Sequence, residues 1–151
     1  MKFFLDENVN YGSLAPLRAV YAEHEFRHAY DEGFSGVEDI PLFGRLGEQS
    51  YDAIITKDRN QLSDSEERRA LFDAGLHWIG HRAKDHKGLK AVSIETATVT
   101  AGLIYVLNDL RPEPHSYLLK GIPSEQSQRV KVQAVGLAGW GRPRRSGLGI
   151  A

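Results

Sequence analysis

The 151-residue chain contains no cysteine, which excludes disulfide bonds and zinc sites built on thiolates. It also has no apolar run approaching the roughly 20 residues that cross a membrane. The first apolar stretch, residues 3–5, is short and an acid follows at once, so we expect no signal peptide, no membrane association and a cytoplasmic protein. Apolar residues make up 41% and charged residues 26% of the chain, which is typical of one soluble globular domain.

Several common catalytic motifs are missing as well. The chain has no Walker loop, no GxGxxG motif and no HExxH motif. Its six histidines show no other close metal spacing, and no Ser/His/Asp order stands out. These absences argue against nucleotide-binding, zinc-protease and serine-hydrolase functions.

A net charge of −1 conceals a marked asymmetry between the two halves of the chain. Residues 1–75 carry 8 Lys/Arg and 15 Asp/Glu, whereas residues 76–151 carry 11 and 5. An acidic half that holds metal and a basic half that holds a polyanion would suit a nuclease. Chance partitioning of solvated surface charge explains the same counts equally well.

Short apolar runs alternate with helix-like segments through the first 80 residues. The runs at 2–6, 24–29, 52–56 and 76–80 predict strands, and amphipathic or capped segments between them predict helices. Strands that alternate with helices form right-handed βαβ units and a parallel sheet. The expected fold is therefore a three-layer α/β/α sandwich with a mainly parallel central sheet.

The second half continues this pattern and then changes. Residues 92–110 are apolar enough for a buried helix, although several are β-branched. Residues 116–122 and 129–135 have the pattern of two strands, which predicts a C-terminal β-hairpin. We therefore expect one domain over 1–136, followed by a flexible Gly/Arg-rich tail over 137–151 that contacts nucleic acid or a partner.

Carboxylates mark the ends of the expected elements. Asp6 closes the first strand, Asp58 follows the strand at 52–56, and Glu38–Asp39 opens a helix behind a capping-box pattern that starts at Ser35. Ligands of open α/β sheets bind beyond the carboxyl ends of the strands, so these acids should converge and repel one another unless a cation lies between them. Mg²⁺ and Mn²⁺ prefer such oxygen ligands. Singly, each acid also has a structural explanation as a helix cap, a dipole partner or a turn residue.

The same segments resemble a known family. The PIN superfamily of metal-dependent ribonucleases, and most of all its short PIN-like branch, has segments similar to residues 3–8 (FFLDEN), 36–40 (GVEDI) and 53–58 (AIITKD). The pattern of that branch is a strand ending in Asp-Glu-Asn, an Asp that opens a helix, and a strand ending in Thr-x-Asp. The resemblance implies a ribonuclease with Mg²⁺ or Mn²⁺. Many such proteins resemble the toxins of VapC-type toxin–antitoxin pairs, which implies RNA as substrate, an antitoxin partner and a possible homodimer.

By position, the resemblance implies that Asp6, Asp39 and Asp58 are catalytic metal ligands, with Glu7 or Glu38 as a further acid. The residues assigned to substrate binding are Asn8, Thr56, Lys57, Arg59, Arg82 and Lys84. The chain departs from the branch at Asn60, where a second acid often follows the threonine. This departure puts a fourth acid in doubt and leaves Asp64 as a substitute, although Asp64 is better explained as a helix start.

Two alternatives remain open from the sequence. In the first, the chain is a non-catalytic member that binds RNA or protein, which Asn60 favours. In the second, it is a phosphorelay receiver-like domain in which Asp6 and Glu7 hold metal, Asp58 accepts the phosphoryl group and Lys120 is the charge partner. The strand at 76–80 is followed by His81 instead of the Ser or Thr that such a domain needs.

Overall fold

The computed structural model describes residues 1–82 and 86–136. Five parallel strands form one sheet in the order β2-β1-β3-β4-β5. The strands are β1 (Lys2–Leu5), β2 (Glu25–His28), β3 (Ala53–Thr56), β4 (His77–His81) and β5 (Ser116–Leu119). The four strands expected in the first 80 residues are therefore confirmed to within one or two residues, and so is the parallel sheet.

Helices connect every pair of consecutive strands, and one more helix follows the last strand. They are a 3₁₀ turn (Tyr11–Ser13), α1 (Leu14–Val20), α2 (Ala29–Glu32), α3 (Asp39–Glu48), α4 (Asn60–Ser63), α5 (Ser65–Asp73), α6 (Gly88–Asn108) and α7 (Gln126–Arg129). The one-turn helix α4 was not expected from the sequence.

Two apolar layers lie on opposite faces of the sheet. Because side chains alternate along a strand, Phe3 and Leu5 face one layer and Phe4 faces the other. The first layer packs under α1 and α6, with Leu17 and Leu103 fully buried. The second layer packs under α3 and α5 through the residues Leu42, Phe43, Leu46 and Leu71. These layers confirm the three-layer α/β/α sandwich.

Helix starts differ in how they are capped. Asp64 caps α5, because its Oδ1 accepts hydrogen bonds at 2.9 Å from the backbone N–H groups of both Glu66 and Glu67. The capping box expected to start at Ser35 is wrong, since α3 begins at Asp39 and its N-cap, Glu38, makes no side-chain cap bond. The Ser35 hydroxyl instead donates to Glu7 Oε2 at 3.0 Å.

The predicted C-terminal β-hairpin is wrong. Residues 116–119 do form a strand, but β5 pairs in parallel with β4, because the long helix α6 carries the chain across the sheet between them. No residue in 129–136 belongs to a strand, and residues 125–136 are all exposed. Their alternating pattern has no neighbouring strand to pair with. The expected tail, 137–151, lies outside the described residues.

Helix α6 is confirmed as a helix but is buried on one face only. Among its residues only Thr98, Val99, Leu103 and Val106 are buried. By length and composition it is the one helix of residues 1–82 and 86–136 that is apolar enough to cross a membrane, with a mean hydropathy of 1.3 and 22% of that window buried. Core helices of soluble proteins pass the same test.

Candidate functional site

The site lies where the chain reverses its direction across the sheet. From β1 the chain moves outward to β2 and then returns past β1 to β3, so β1 and β3 flank the switch point of the sheet. Asp6 directly follows β1, and Asp58 lies two residues beyond β3. Asp39 is the first residue of α3, which crosses back between them. Three acids from separate elements thus lie at one edge of the sheet.

Asp6 is a buried carboxylate with three hydrogen-bond donors. Its side chain is held by the Glu7 backbone N–H at Oδ1 (2.8 Å) and by the Thr56 hydroxyl and the Gln61 amide at Oδ2 (2.8 and 3.3 Å). Only 7% of the residue is exposed. Burial raises the pKa of Asp6 above its ordinary value, and the donors counteract this only in part. A group held in this way favours a nearby positive charge.

Asp39 lies beside Asp6 and is half-buried. Its Oδ1 accepts a 3.0 Å hydrogen bond from Gln61 Nε2, the nitrogen that also donates to Asp6. Its position in the first turn of α3 favours a negative charge through the helix dipole. Burial nevertheless raises the pKa of Asp39, and the charges of Asp6, Asp58 and Glu7 raise it further. Two carboxylates therefore converge on one amide nitrogen.

Asp58 lies at the same edge but is not joined to this pair by a hydrogen bond. Its Oδ1 accepts from the Asn60 backbone N–H at 3.0 Å, and its own N–H donates to Thr56 Oγ1 at 3.0 Å. The residue is half-buried. Its charge is close enough to raise the pKa of Asp39. Asp58 is thus the outer member of the three.

The two further acids named from the resemblance have different surroundings. Glu7 is exposed, and its Oε2 accepts hydrogen bonds from the Ser35 hydroxyl and the Gly36 backbone N–H, so it braces the loop before α3. Glu38 is exposed at the N-cap of α3 and makes no cap bond. Neither side chain is hydrogen-bonded to Asp6 or Asp39, although the charge of Glu7 helps to raise the pKa of both.

The polar residues assigned to substrate instead tie the loops of the site together. Thr56 is fully buried, and its hydroxyl donates to Asp6 and accepts from the backbone of Asp58. The Asn8 side chain accepts from the Lys57 N–H at 3.1 Å and donates to Thr56 Oγ1 at 3.3 Å. Both side chains are therefore placed to orient the acids.

The basic candidates are only partly available to a polyanion. Lys57 Nζ lies 3.3 Å from Oε2 of Glu95, a residue of α6. Arg59 and Arg82 are exposed, and within residues 1–82 and 86–136 neither side chain has a hydrogen bond or ion pair. Lys84 lies outside the described residues. Of the three candidates that the structure describes, Arg59 and Arg82 are thus more open to a phosphate than Lys57.

Two residues of the site were missed from the sequence. Gln61 is completely buried in α4 and bridges Asp6 and Asp39. Glu67, in the first turn of α5, has a raised pKa because of burial and the charges of Asp39, Asp64 and Asp58. A first-turn acid is explained by the helix dipole alone, and Gln61 carries no sequence signal for its contacts, so neither residue stood out.

A divalent cation fits these residues only partly. In the part of the chain that the structure describes, no group of three or more His, Asp or Glu residues is arranged to hold a metal ion. However, Glu67 Oε2 is buried without a hydrogen-bond partner, close to other acids. An unpaired carboxylate oxygen in acidic surroundings is stabilised by a cation. Mg²⁺ is often bound through one or two carboxylates and several waters, and Asp6 and Asp39 are two carboxylates that share one hydrogen-bond donor.

Comparison with known proteins identifies a family. Residues 1–82 match the model of a family described as "PIN like domain". This range covers more than half of the chain, runs from β1 to the residue after β4, and includes Asp6, Asp39 and Asp58. No curated protein and no solved structure matches the chain.

Proposed function

Because the chain belongs to the PIN-like domain family, which contains nucleases that generally use divalent metals, we propose that it is a Mg²⁺- or Mn²⁺-dependent endoribonuclease. One observation carries the proposal. Asp6 and Asp39, which come from separate elements, share the amide nitrogen of Gln61 at the switch point of the sheet. Hard oxygen donors that converge at the ligand-binding edge of an α/β sheet suit phosphodiester chemistry.

Asp6 and Asp39 would hold the cation, and Asp58 and Glu67 would add negative charge around it. When bound, a divalent cation polarises a phosphoryl oxygen and lowers the pKa of a water molecule. Asp6 is already oriented by Thr56 and by the Glu7 N–H, so it needs little rearrangement. Asp39 is the more exposed of the two, so the substrate would reach the cation from the side of Asp39.

Exposed cations near the edge would hold the RNA strand. Arg59 follows Asp58 directly, and Arg82 follows the end of β4, the neighbour of β3. Their contacts to phosphates would supply affinity that depends on salt and carries no base specificity. Lys84 would extend this basic segment, whereas Lys57 is held by Glu95.

The proposed biological role is that of a toxin in a toxin–antitoxin pair. Its support is the similarity of the order and spacing of the three motifs to the short PIN-like branch, many of whose members resemble VapC-type toxins. An antitoxin would then cover the acidic edge and supply a positive charge, for instance from an arginine. Homodimerisation is part of the same proposal, and so is a cytoplasmic location.

A cleavage assay tests the enzymatic proposal. We expect the purified protein to cleave mixed RNA with Mn²⁺ and to lose this activity in EDTA. The variant Asp39→Asn keeps an oxygen that accepts from Gln61 but removes the charge, and we expect a loss of more than about 100-fold, since even partners of metal ligands contribute 10–100-fold. Asp73→Asn, an exposed acid of α5, is the matched control. Cleavage by the Asp39→Asn variant at the wild-type rate, in nuclease-free preparations, contradicts the proposal.

A non-catalytic binding role is the second candidate. It is favoured by Asn60, which replaces an acid, and by the lack of a three-residue metal group in residues 1–82 and 86–136. A protein of this kind would bind RNA or a protein partner equally well in EDTA, and Mn²⁺ would neither stabilise it nor induce cleavage. Comparing RNA binding and thermal unfolding with and without Mn²⁺ separates the two candidates.

We do not propose the receiver-like function. The strand order permits it, and Lys120 directly follows β5. The family match, however, is to PIN-like domains, and the last residue of β4 is the buried His81 where such a site needs Ser or Thr. Acid-labile phosphate on Asp58 after treatment with acetyl phosphate would reverse this choice.

A further inference from the structure

Gln61 is a completely buried side chain whose amide nitrogen and amide oxygen both have hydrogen-bond partners. Nε2 donates to Asp39 Oδ1 at 3.0 Å and to Asp6 Oδ2 at 3.3 Å. Oε1 accepts from the indole N–H of Trp78 at 3.2 Å. A flipped amide would turn its oxygen toward two carboxylates and its NH₂ group toward an N–H donor. The orientation of Gln61 is therefore fixed by its three partners.

Trp78 is in turn fixed by its own strand. It is 2% exposed and packs in the apolar layer under α3 and α5. Its indole lies directly over Gly80, two residues along β4. A Cβ atom built at Gly80 would be only 1.9 Å from the indole ring, so only glycine leaves room for it. The missing side chain at Gly80 thus lets the indole lie along the strand toward the carboxyl edge, where its N–H meets Gln61.

We propose that Gln61, held by Trp78, is a positioning residue that brings Asp6 and Asp39 together for a divalent cation. The proposal rests on the metal dependence proposed above. Without a donor between them, two carboxylates at this edge would repel each other and turn apart. With Gln61 in place, they are kept side by side before the cation binds. Hydrogen-bonded partners of metal ligands act in this way in other proteins.

Gln61 acts through the two acids and is not a metal ligand itself. Its only oxygen is occupied by Trp78 and faces away from Asp6 and Asp39. The bound cation would also not displace the Gln61 amide. Moving a fully buried amide out of the site would leave the Trp78 N–H buried without an acceptor, which is unfavourable. The cation would therefore approach from the exposed side of Asp39 while Gln61 stays in place.

Calorimetric titration with Mn²⁺ tests the proposal without any activity assay. Gln61→Met keeps the length of the side chain and removes both the NH₂ donor and the C=O acceptor of the amide, and we expect Mn²⁺ affinity to fall 10–100-fold. Trp78→Phe removes the indole N–H and part of the ring but leaves the Gln61 amide and its bonds to both acids, so its loss of affinity should be smaller. If Trp78 acts through Gln61, the double variant should bind Mn²⁺ no more weakly than Gln61→Met alone.

Two control variants separate positioning from loss of stability. Gln49→Met makes the same change at an exposed residue, and Leu103→Ala weakens the apolar layer on the opposite face of the sheet, which does not contain Trp78. Neither should change Mn²⁺ affinity. Unchanged or tighter Mn²⁺ binding by folded Gln61→Met overturns the positioning role alone. Absence of Mn²⁺ binding by the wild type overturns the metal-dependent function and this role with it. If Gln61→Met does not fold, equal affinities of Trp78→Phe and wild type overturn the proposal.

Discussion

At the scale of single residues, the site is a group of acids whose hydrogen-bond donors do not fully offset the cost of burying their charges. Asp6 has three hydrogen-bond donors and Asp39 has one, yet the pKa of each is raised by burial. Glu67 Oε2 is buried and has no donor within residues 1–82 and 86–136. These three carboxyl groups therefore bind protons more tightly in the folded protein than in the unfolded chain. Its stability should fall as the pH rises through the raised pKa values, unless a cation is present.

Glu67 provides a residue-scale prediction. Glu67→Gln removes a negative charge without leaving another group short of a hydrogen-bond partner. Without metal, we therefore expect the free energy of unfolding to stay equal or increase at neutral pH. With Mn²⁺ present, the same variant should gain less stability than the wild type, because it has lost attraction to the cation. Urea unfolding in EDTA and in Mn²⁺ measures both effects.

The neighbouring exposed acid is the matched control for this prediction. Glu66→Gln changes the adjacent residue of the same helix turn and should leave the Mn²⁺ effect unchanged. Equal stabilisation of wild type and Glu67→Gln by Mn²⁺ would show that Glu67 plays no part in the site.

Sequence reasoning identified some of these residues and not others, for a physical reason. Asp6, Asp39 and Asp58 lie next to strand or helix ends, and such ends can be read from local patterns. Gln61 depends on Trp78, which lies 17 residues away in another element. Contacts of this kind are set by tertiary packing, so no local pattern shows them. Thr56 was assigned to substrate binding, and in the fold its hydroxyl donates to Asp6 and accepts from the Asp58 backbone N–H.

At the scale of secondary structure, β4 connects the apolar layer to the acids. Trp78 packs in the layer, Gly80 leaves room for its indole, and the indole N–H reaches Gln61 in α4. The sequence predicted β4 correctly but gave no reason for a glycine within it. In a strand interior, glycine often marks a close approach of other groups, and here the approaching group is the strand's own tryptophan.

Gly80→Ala tests the role of this glycine. A Cβ atom there would meet the indole ring, which would have to move, and we expect a loss of about 1–3 kcal/mol in the free energy of unfolding. The displaced indole should also change its near-ultraviolet circular dichroism and weaken Mn²⁺ binding through Gln61. Urea unfolding and circular dichroism measure the first two effects.

Gly44→Ala is the control for glycine replacement. Gly44 lies within α3, and a Cβ atom there meets nothing within 4 Å. In a helix interior we expect the change to stabilise the protein by about 0.5–1 kcal/mol. A Gly80→Ala variant as stable as the wild type, with an unchanged indole signal, would contradict the packing described here.

The C-terminal elements show where periodicity alone was misleading. Residues 116–122 and 129–135 were both expected to be strands, but only residues 116–119 pair with a strand. A strand requires a partner, and the partner of β5 is set by the crossover through α6. The β-branched residues of α6 argued against a helix, yet the helix forms and packs Val99, Leu103 and Val106 against the sheet.

At the scale of the whole molecule, the topology brings the acids together. The order β2-β1-β3-β4-β5 puts β1 and β3 side by side, and their carboxyl ends carry Asp6 and Asp58. The alternation of strands and helices predicted the parallel sheet, and general rules for such sheets predicted which edge binds a ligand. They did not give the separation of the acids, which depends on α4 and on the buried amide it carries.

The central claim is that Asp6 and Asp39 hold a divalent cation at this edge. Crystals grown with Mn²⁺ and measured near its absorption edge test this most directly, because anomalous scattering locates the ion independently of any activity. We predict the strongest anomalous peak within coordinating distance of one oxygen of Asp6 and one of Asp39, with the Gln61 amide still bonded to both. A map of Mn²⁺-saturated crystals with no peak at this pair, or with peaks only elsewhere, would contradict the account.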